Sequence, residues 1–183
     1  MNIHTFSSIA AQDSRRCIGQ KGSIPWRLSS DLKRFRLLTV GKICLMGRKT
    51  YESLPRPLPH RYHLVVSETW DSDPDKSAMV ATHGEVVSSL GEAVWDRVPS
   101  LIHRGWHPEI MVIGGGTIYD QMMPMTSRVY LTTLADREFV GDTYFPFLVP
   151  EEWGVIHLEN STDATFGAVK FVVYQRTTGL VHP

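Results

Sequence analysis

Glu109-Ile110-Met111-Val112-Ile113-Gly114-Gly115-Gly116-Thr117-Ile118-Tyr119 reads as a short strand, a glycine turn and the opening of a helix. The apolar run before the glycines suits a buried strand. Glycine lets a ligand approach the backbone closely, and the helix start behind it offers free amides and positive potential to a phosphate. The spacing is not G-x-G-x-x-G, so the usual dinucleotide fingerprint is absent. Taken alone, three glycines also suit a tight turn with unusual dihedrals. A second unit of the same kind lies upstream, where Lys42 to Met46 runs into Gly47-Arg48-Lys49-Thr50. Cations at a helix start oppose the macrodipole unless an anion is present. Two such units put both turns at the carboxyl ends of strands, where open α/β sheets bind anions.

Working outward, Ile3 to Ala11 and Tyr62 to Ser67 read as further strands. Ser30 to Leu38, Lys49 to Leu54, Val86 to about Val98 and Thr117 to Met123 read as helices. Thr82 and Glu85 have capping-box spacing ahead of the third. Arg128 to Leu134, Gly154 to Glu159 and Val169 to Arg176 form a strand-rich end, the last two an antiparallel pair across Asn160-Ser161-Thr162-Asp163 and its flanks. This alternation predicts an α/β fold: a mostly parallel sheet with an antiparallel C-terminal edge, helices on both faces, and one domain over residues 1–183. Two loops stand out, the polar Gln12 to Ser23 and an irregular Pro99 to Pro108 that reads as surface packing.

The chain has 183 residues, enough for one real core. Nineteen basic residues balance nineteen acidic ones, so charge makes no case for nucleic acid or an acidic membrane as partner. No stretch reaches the length of a membrane span, and the start lacks a signal-peptide pattern. Cys17 and Cys44, both in apolar surroundings, read as buried free thiols, from which a cytoplasmic location is expected. His60 with His63 and His103 with His107 lack the helical spacing and carboxylates of a zinc site, so no metal is expected.

Asp31 breaks an apolar pattern. A helix starting near Ser29 or Ser30 stacks Leu28, Asp31, Phe35 and Leu38 on one face. A carboxylate buried there either finds a partner or rises in pKa, and a raised pKa suits acid chemistry near neutrality. The plainer alternative is a first-turn acid that complements the macrodipole.

In order and spacing, these segments resemble dihydrofolate reductase of the bacterial type, over nearly the whole chain. The resemblance runs through Ile9-Ala10-Ala11, Ile18-Gly19, Pro25-Trp26, Asp31, Phe35, Met46-Gly47-Arg48-Lys49-Thr50-Tyr51-Glu52-Ser53 and Arg56-Pro57-Leu58-Pro59. It continues through Arg61, Ile113-Gly114-Gly115-Gly116, Tyr119, Leu131-Thr132 and Gly141-Asp142-Thr143-Tyr144-Phe145-Pro146. It implies an eight-stranded sheet and a cleft that takes NADPH and dihydrofolate or antifolate inhibitors, in a chain expected to be a monomer. Asp31 takes the position of the family's active-site carboxylate, supported by Thr132 and by Trp26, which holds an ordered water. Ile9, Leu32, Phe35, Leu54 and Ile113 are implied around the substrate rings, and Tyr119 beside them. Arg61 is implied as the clasp of the glutamate carboxylate, with Arg36 and Arg56 at the same exit.

For the cofactor, the resemblance implies Ala11, Ile18, Gly19 and Tyr119 at the nicotinamide end, Ile113 and Ile118 among the other cofactor contacts, and Gly22, Ser23 and Ile24 in a mobile lid from Cys17 to Ile24. Gly114, Gly115, Gly116 and Thr117 are implied at the pyrophosphate, with a cis peptide at Gly114–Gly115. Gly47, Arg48, Lys49, Thr50, Ser67 and Glu68 are implied at the phosphates and adenosine. Glu68 stands where a small or basic residue is more usual near the 2′-phosphate, and Thr117 replaces a basic residue found in some relatives. Both changes make the site less positive near an anion, so the strength of the NADPH over NADH preference stays open. Two alternatives share the fold: a pyrimidine reductase of riboflavin synthesis and a non-catalytic nucleotide-binding module. Asp31 after Pro25-Trp26, together with Arg61, argues against the first, and Asp31, Trp26 and Thr132 argue against the second.

Overall fold

Eight strands build the sheet of this protein, in the order Gly84–Val87, Tyr62–Val66, Ile43–Gly47, Glu109–Gly114, Thr5–Asp13, Thr126–Leu134, Gly167–Arg176 and Trp153–Asp163. The structure, a computed structural model, describes residues 4–177; the expected strand start at Ile3 and both ends of the 1–183 span lie outside them. In chain order the strands are β1 (Thr5–Asp13), β2 (Cys17–Gly19), β3 (Ile43–Gly47), β4 (Tyr62–Val66), β5 (Gly84–Val87) and β6 (Glu109–Gly114). They continue with β7 (Thr126–Leu134), β8 (Thr143–Tyr144), β9 (Trp153–Asp163) and β10 (Gly167–Arg176). The helices are α1 (Ser29–Thr39), α2 (Arg48–Ser53), α3 (Glu68–Asp71), α4 (Pro74–Ala81), α5 (Leu90–Glu92), α6 (Val98–His103) and α7 (Gly116–Met122). β1 lies parallel to both β6 and β7, and β3 parallel to both β4 and β6. β10 runs opposite to the other strands of this sheet, pairing antiparallel with β7 and with β9. The small strands β2 and β8 form a separate antiparallel ribbon.

The period-two alternation of β3 sorts its side chains to the two faces of the sheet. Ile43 and Leu45 join one core with Phe6, Ile110, Val112 and Leu131, covered by Val94, Val98 and Leu101 and by Ile118 and Met122 of α7. Cys44 and Met46 join the other with Ile9, Met111 and Ile113, covered by Phe35 and Leu38 of α1 and Tyr51 of α2. Both thiols are free and buried, as their apolar surroundings imply.

The third expected helix is displaced. Val86 belongs to β5, paired in register with Val65 of β4. Thr82 closes α4 instead of opening a helix, so the Thr82/Glu85 capping box does not form. The true start is Ser89, whose hydroxyl accepts the Glu92 amide at 3.2 Å, while Glu92 reaches back to the Ser88 amide at 3.0 Å. From Leu90 the chain stays helical to His103, through a π turn at Ala93–Arg97. The segment Pro99 to Pro108 is therefore half helix, and Trp106 docks edge-on against Tyr62 at 5.3 Å. The C-terminal hairpin also turns later than expected: Asn160 to Asp163 are paired residues of β9, and the turn lies beyond Asp163. No helix among the described residues is long and apolar enough to cross a membrane.

Candidate active site

β3 and β6 are neighbours, with Met46 opposite Gly114, so their carboxyl ends deliver α2 and α7 side by side. Gly47 and Gly115 sit at the two N-caps, and neither helix receives a side-chain cap. The free amides of both first turns thus keep their hydrogen-bonding capacity for an anion. The glycines are required here by space. A Cβ on Gly114, at φ +108°, would lie 2.8 Å from the Tyr119 ring, and one on Gly116 would lie 2.8 Å from Thr143. A Cβ on Gly115 would lie 3.3 Å from the Thr50 hydroxyl, which shows how closely the two turns approach. The Gly114–Gly115 peptide is cis.

Of the expected phosphate cations, Lys49 and Arg48 open α2, and Arg48 is paired with Glu52 at 3.0 Å one turn on. Ser67 acts as the N-cap of α3, accepting the Trp70 amide at 3.2 Å, with Glu68 exposed behind it. Ile118 is buried against Gly47 and Thr117 is exposed.

At the other end of the cleft, α1 carries the stripe anticipated for it: Leu28 is buried, Phe35 and Leu38 are half-buried, and Asp31 lies between them. Burial pushes the Asp31 carboxyl above the ordinary range; a hydrogen bond from Thr132 and the charge of Arg34 oppose this without cancelling it. Thr132 is fully buried in β7, between Ala11 of β1 and Phe171 of β10. Tyr119 joins the two ends. Its hydroxyl donates to the Ile9 carbonyl at 2.6 Å, its ring packs on Phe145 at 4.9 Å, and burial and then the Asp31 charge push its phenol up. Ile113 belongs to the buried cluster on the same face, against which Leu54 packs, while Leu32 is exposed. Trp26 is buried, and its ring packs on Phe139 at 5.0 Å.

Arg61 is buried and largely committed within the chain. It donates to Thr39 at 3.1 and 3.0 Å, to the Pro59 carbonyl at 2.7 Å and to the Arg36 carbonyl at 3.2 Å. Arg36 and Arg56 are exposed. His63 supports the same loop. Its Nε2 accepts the Leu58 amide at 3.1 Å, so the proton sits on Nδ1 and points to the His83 carbonyl at 3.2 Å. This neutral tautomer fits the burial, which pushes the imidazole pKa down.

The segment from Gln12 to Ser23 is more ordered than a polar loop. Asp13, fully buried, accepts the amides of Cys17 at 2.8 Å, Arg15 at 2.9 Å and Phe139 at 2.7 Å. Ile18 and Gly19 lie in β2, held against β8. Asp142 binds the Lys21 amide at 2.7 Å, and its own amide donates to the Gly19 carbonyl at 3.0 Å. Gly22, Ser23 and Ile24 are exposed at the tip, with Gly22 at φ +78°. Sequence reading missed Asp13, His63 and Arg34 as parts of the site. Only Arg34 left a local signal, lying three residues after Asp31 on the same helical face.

A profile of the dihydrofolate reductase family matches residues 5–176. The chain is 37% identical to dihydrofolate reductase of Bacillus subtilis over 156 residues, covering 85% of this chain and 84% of that one. It is likewise 37% identical over 176 residues to dihydrofolate reductase type 3 of Salmonella typhimurium, covering 93% and 97%. Among solved structures it is similar to Enterococcus faecalis dihydrofolate reductase complexed with NADP(H) and RAB-propyl. That likeness has a TM-score of 0.78 and 26% identity, over 95% of this chain and 97% of the other. With the two glycine-opened helices, the buried carboxylate beside Thr132 and these relatives over most of its length, the chain belongs to the dihydrofolate reductase family.

Proposed function

We propose that this protein reduces 7,8-dihydrofolate to 5,6,7,8-tetrahydrofolate with NADPH, and that Asp31 is the group that orients the pterin. The observation that carries the reading is a half-buried carboxylate on the inward stripe of α1, between Leu28, Phe35 and Leu38 and beside the cluster that holds Ile9 and Ile113. Burial pushes that carboxyl up, with Thr132 and Arg34 opposing.

The glycine floor fits the cofactor. Residues 114 and 116 have no room for a side chain and 115 has little, and two uncapped helix starts meet beside them, as a pyrophosphate requires. Gly114 to Thr117 would hold that group; Gly47, Arg48, Lys49, Thr50, Ser67 and Glu68 would surround the phosphates and adenosine. Ala11, Ile18, Gly19, Ile118 and Tyr119 would contact the nicotinamide. NADPH, when bound, supplies the hydride.

Asp31 accepts hydrogen bonds from the pterin amino group and ring nitrogen, which holds the ring in register and favours its protonation. Thr132 keeps the carboxylate in place, and Trp26 closes the wall of the pocket. Leu32, Phe35 and Leu54 contact the rings, while Arg61, with Arg36 and Arg56 at the exit, attracts the glutamate carboxylates. The segment from Cys17 to Ile24, including Gly22 and Ser23, acts as the lid that excludes water, with Asp142 as its latch. Antifolates would bind the same pocket as competitors, and a monomer in the cytoplasm is the setting proposed.

The test is loss of NADPH absorbance with dihydrofolate present, at micromolar enzyme. Turnover well above background is expected, and none above background would refute the reading.

A further inference from the structure

Arg34 sits where a surface helix normally shows a solvated cation, yet it is folded inward onto the sheet. Its guanidinium carbon lies 5.9 Å from the Tyr130 ring centre and 5.4 Å from that of Phe171. One terminal nitrogen donates to the Val172 carbonyl at 3.3 Å, and the other makes a long contact of 3.5 Å to the Thr132 hydroxyl oxygen. A planar guanidinium can stack on two rings and donate in two directions at once; an ammonium on a flexible stem cannot.

The contact with Thr132 has a direction. A guanidinium only donates, so the Thr132 oxygen must accept, and the single hydroxyl proton is left for another acceptor. That acceptor is Asp31, whose carboxyl takes the hydrogen bond of Thr132. Arg34 and Asp31 are also three residues apart on α1, so the cation stands beside the carboxylate with no direct ion pair between them among the described residues. The charged and titratable groups around the pair come from four elements. Asp31 and Arg34 belong to α1, Tyr119 to α7, Tyr130 to β7 and Glu159 to β9. Tyr130 is itself engaged, accepting from Arg128 at 3.2 Å and donating to Glu109 at 3.1 Å.

We propose that Arg34 is a positioning residue for Asp31: it turns the Thr132 hydroxyl proton toward the carboxylate and supplies a positive charge one helical turn away. This rests on the role given to Asp31 above, and deepens it by naming what sets the protonation of that carboxyl.

The test follows the Asp31 carboxyl carbon by NMR titration of the full chain, with no cofactor or substrate needed. In Arg34→Met the midpoint moves up by about one pH unit, a tenfold change in ionised fraction at a given pH. In Arg34→Lys, which keeps the charge but cannot reach both acceptors, it moves up by a smaller amount. Thr132→Val also raises it, and the double variant Arg34→Met/Thr132→Val shifts it by less than the sum of the two. An unmoved midpoint in folded Arg34→Met overturns the proposal. Should that variant fail to fold, an unmoved midpoint in Arg34→Lys does so. Because this readout needs no turnover, a chain inactive on dihydrofolate would sink the proposed function while leaving this result intact.

Discussion

Replacing Gly114 by alanine tests the geometry that holds the two ends of the cleft together. Gly114 stands at φ +108°, a region that costs an L-residue about 1–2 kcal/mol. The new Cβ would also meet the Tyr119 ring at 2.8 Å, and that ring cannot retreat. It packs on Phe145, and its hydroxyl is bonded to the Ile9 carbonyl. Overpacking of this kind costs about 1–3 kcal/mol. The expected total is about 2–5 kcal/mol, which at an m-value near 2 kcal/mol/M lowers the urea midpoint by about 1–2.5 M. Gly105 is the control: it has φ +96°, and a Cβ there meets nothing within 4 Å. Gly105→Ala should lose about 1–2 kcal/mol by the dihedral alone. Urea unfolding of both variants, with NADPH titrated by fluorescence, separates the terms. Gly114→Ala should be the less stable and should bind NADPH more weakly; equal losses at both positions, with unchanged NADPH affinity in Gly114→Ala, would refute the reasoning.

Two other outcomes follow from single side chains. Burial holds His63 below the ordinary imidazole value, so the unfolded chain takes up the proton first. Stability is then fully present above about pH 6.5 and falls by up to about 1.4 kcal/mol per unit beneath it. His63→Phe should flatten that slope between pH 6.5 and 5, and should cost about 1–3 kcal/mol at pH 8 by leaving the Leu58 amide unpaired; urea melts at the two pH values check both. Glu68 is exposed at the start of α3, near the proposed adenosine site, so Glu68→Arg should tighten NADPH several-fold, about 1 kcal/mol, and NADH less. Equal tightening of both cofactors would place Glu68 away from the 2′-phosphate.

What could be read from the chain was whatever local periodicity and glycine placement encode. The strand–turn–helix units at Gly47 and Gly114 came through because their apolar runs are short and end at residues with few other uses. The stripe through Leu28, Asp31, Phe35 and Leu38 came through because helical spacing is local. Val86 and Val87 misled for the same reason: they stand in helical phase with Leu90, Ala93 and Val94, and only pairing with β4, a non-local contact, makes them a strand. α3 and α4 are short and polar, leaving little periodic signal, although Ser67 and Asp73 cap them as expected of such residues. Asp13 and Arg34 look like ordinary polar residues in sequence. Asp13 does bind the nearby Arg15 and Cys17 amides, and Arg34 lies one turn from Asp31, but the contacts that tie them into the site, at Phe139, Thr132 and Val172, are more than ninety residues away, where no spacing rule reaches. Arg61 stood out in the sequence as a guanidinium, but not the extent to which Thr39 and Pro59 occupy it.

The central claim is that the raised carboxyl of Asp31 orients the pterin and favours its protonation. The direct measurement is the single-turnover rate of dihydrofolate reduction by Asp31→Asn at pH 7, with NADPH affinity measured alongside. The amide keeps the shape but cannot carry the charge that favours the protonated ring. A loss of about 100-fold or more is predicted, with NADPH affinity nearly unchanged and the rate partly recovering as pH falls. A rate within a few-fold of the unsubstituted protein at pH 7 would contradict the account.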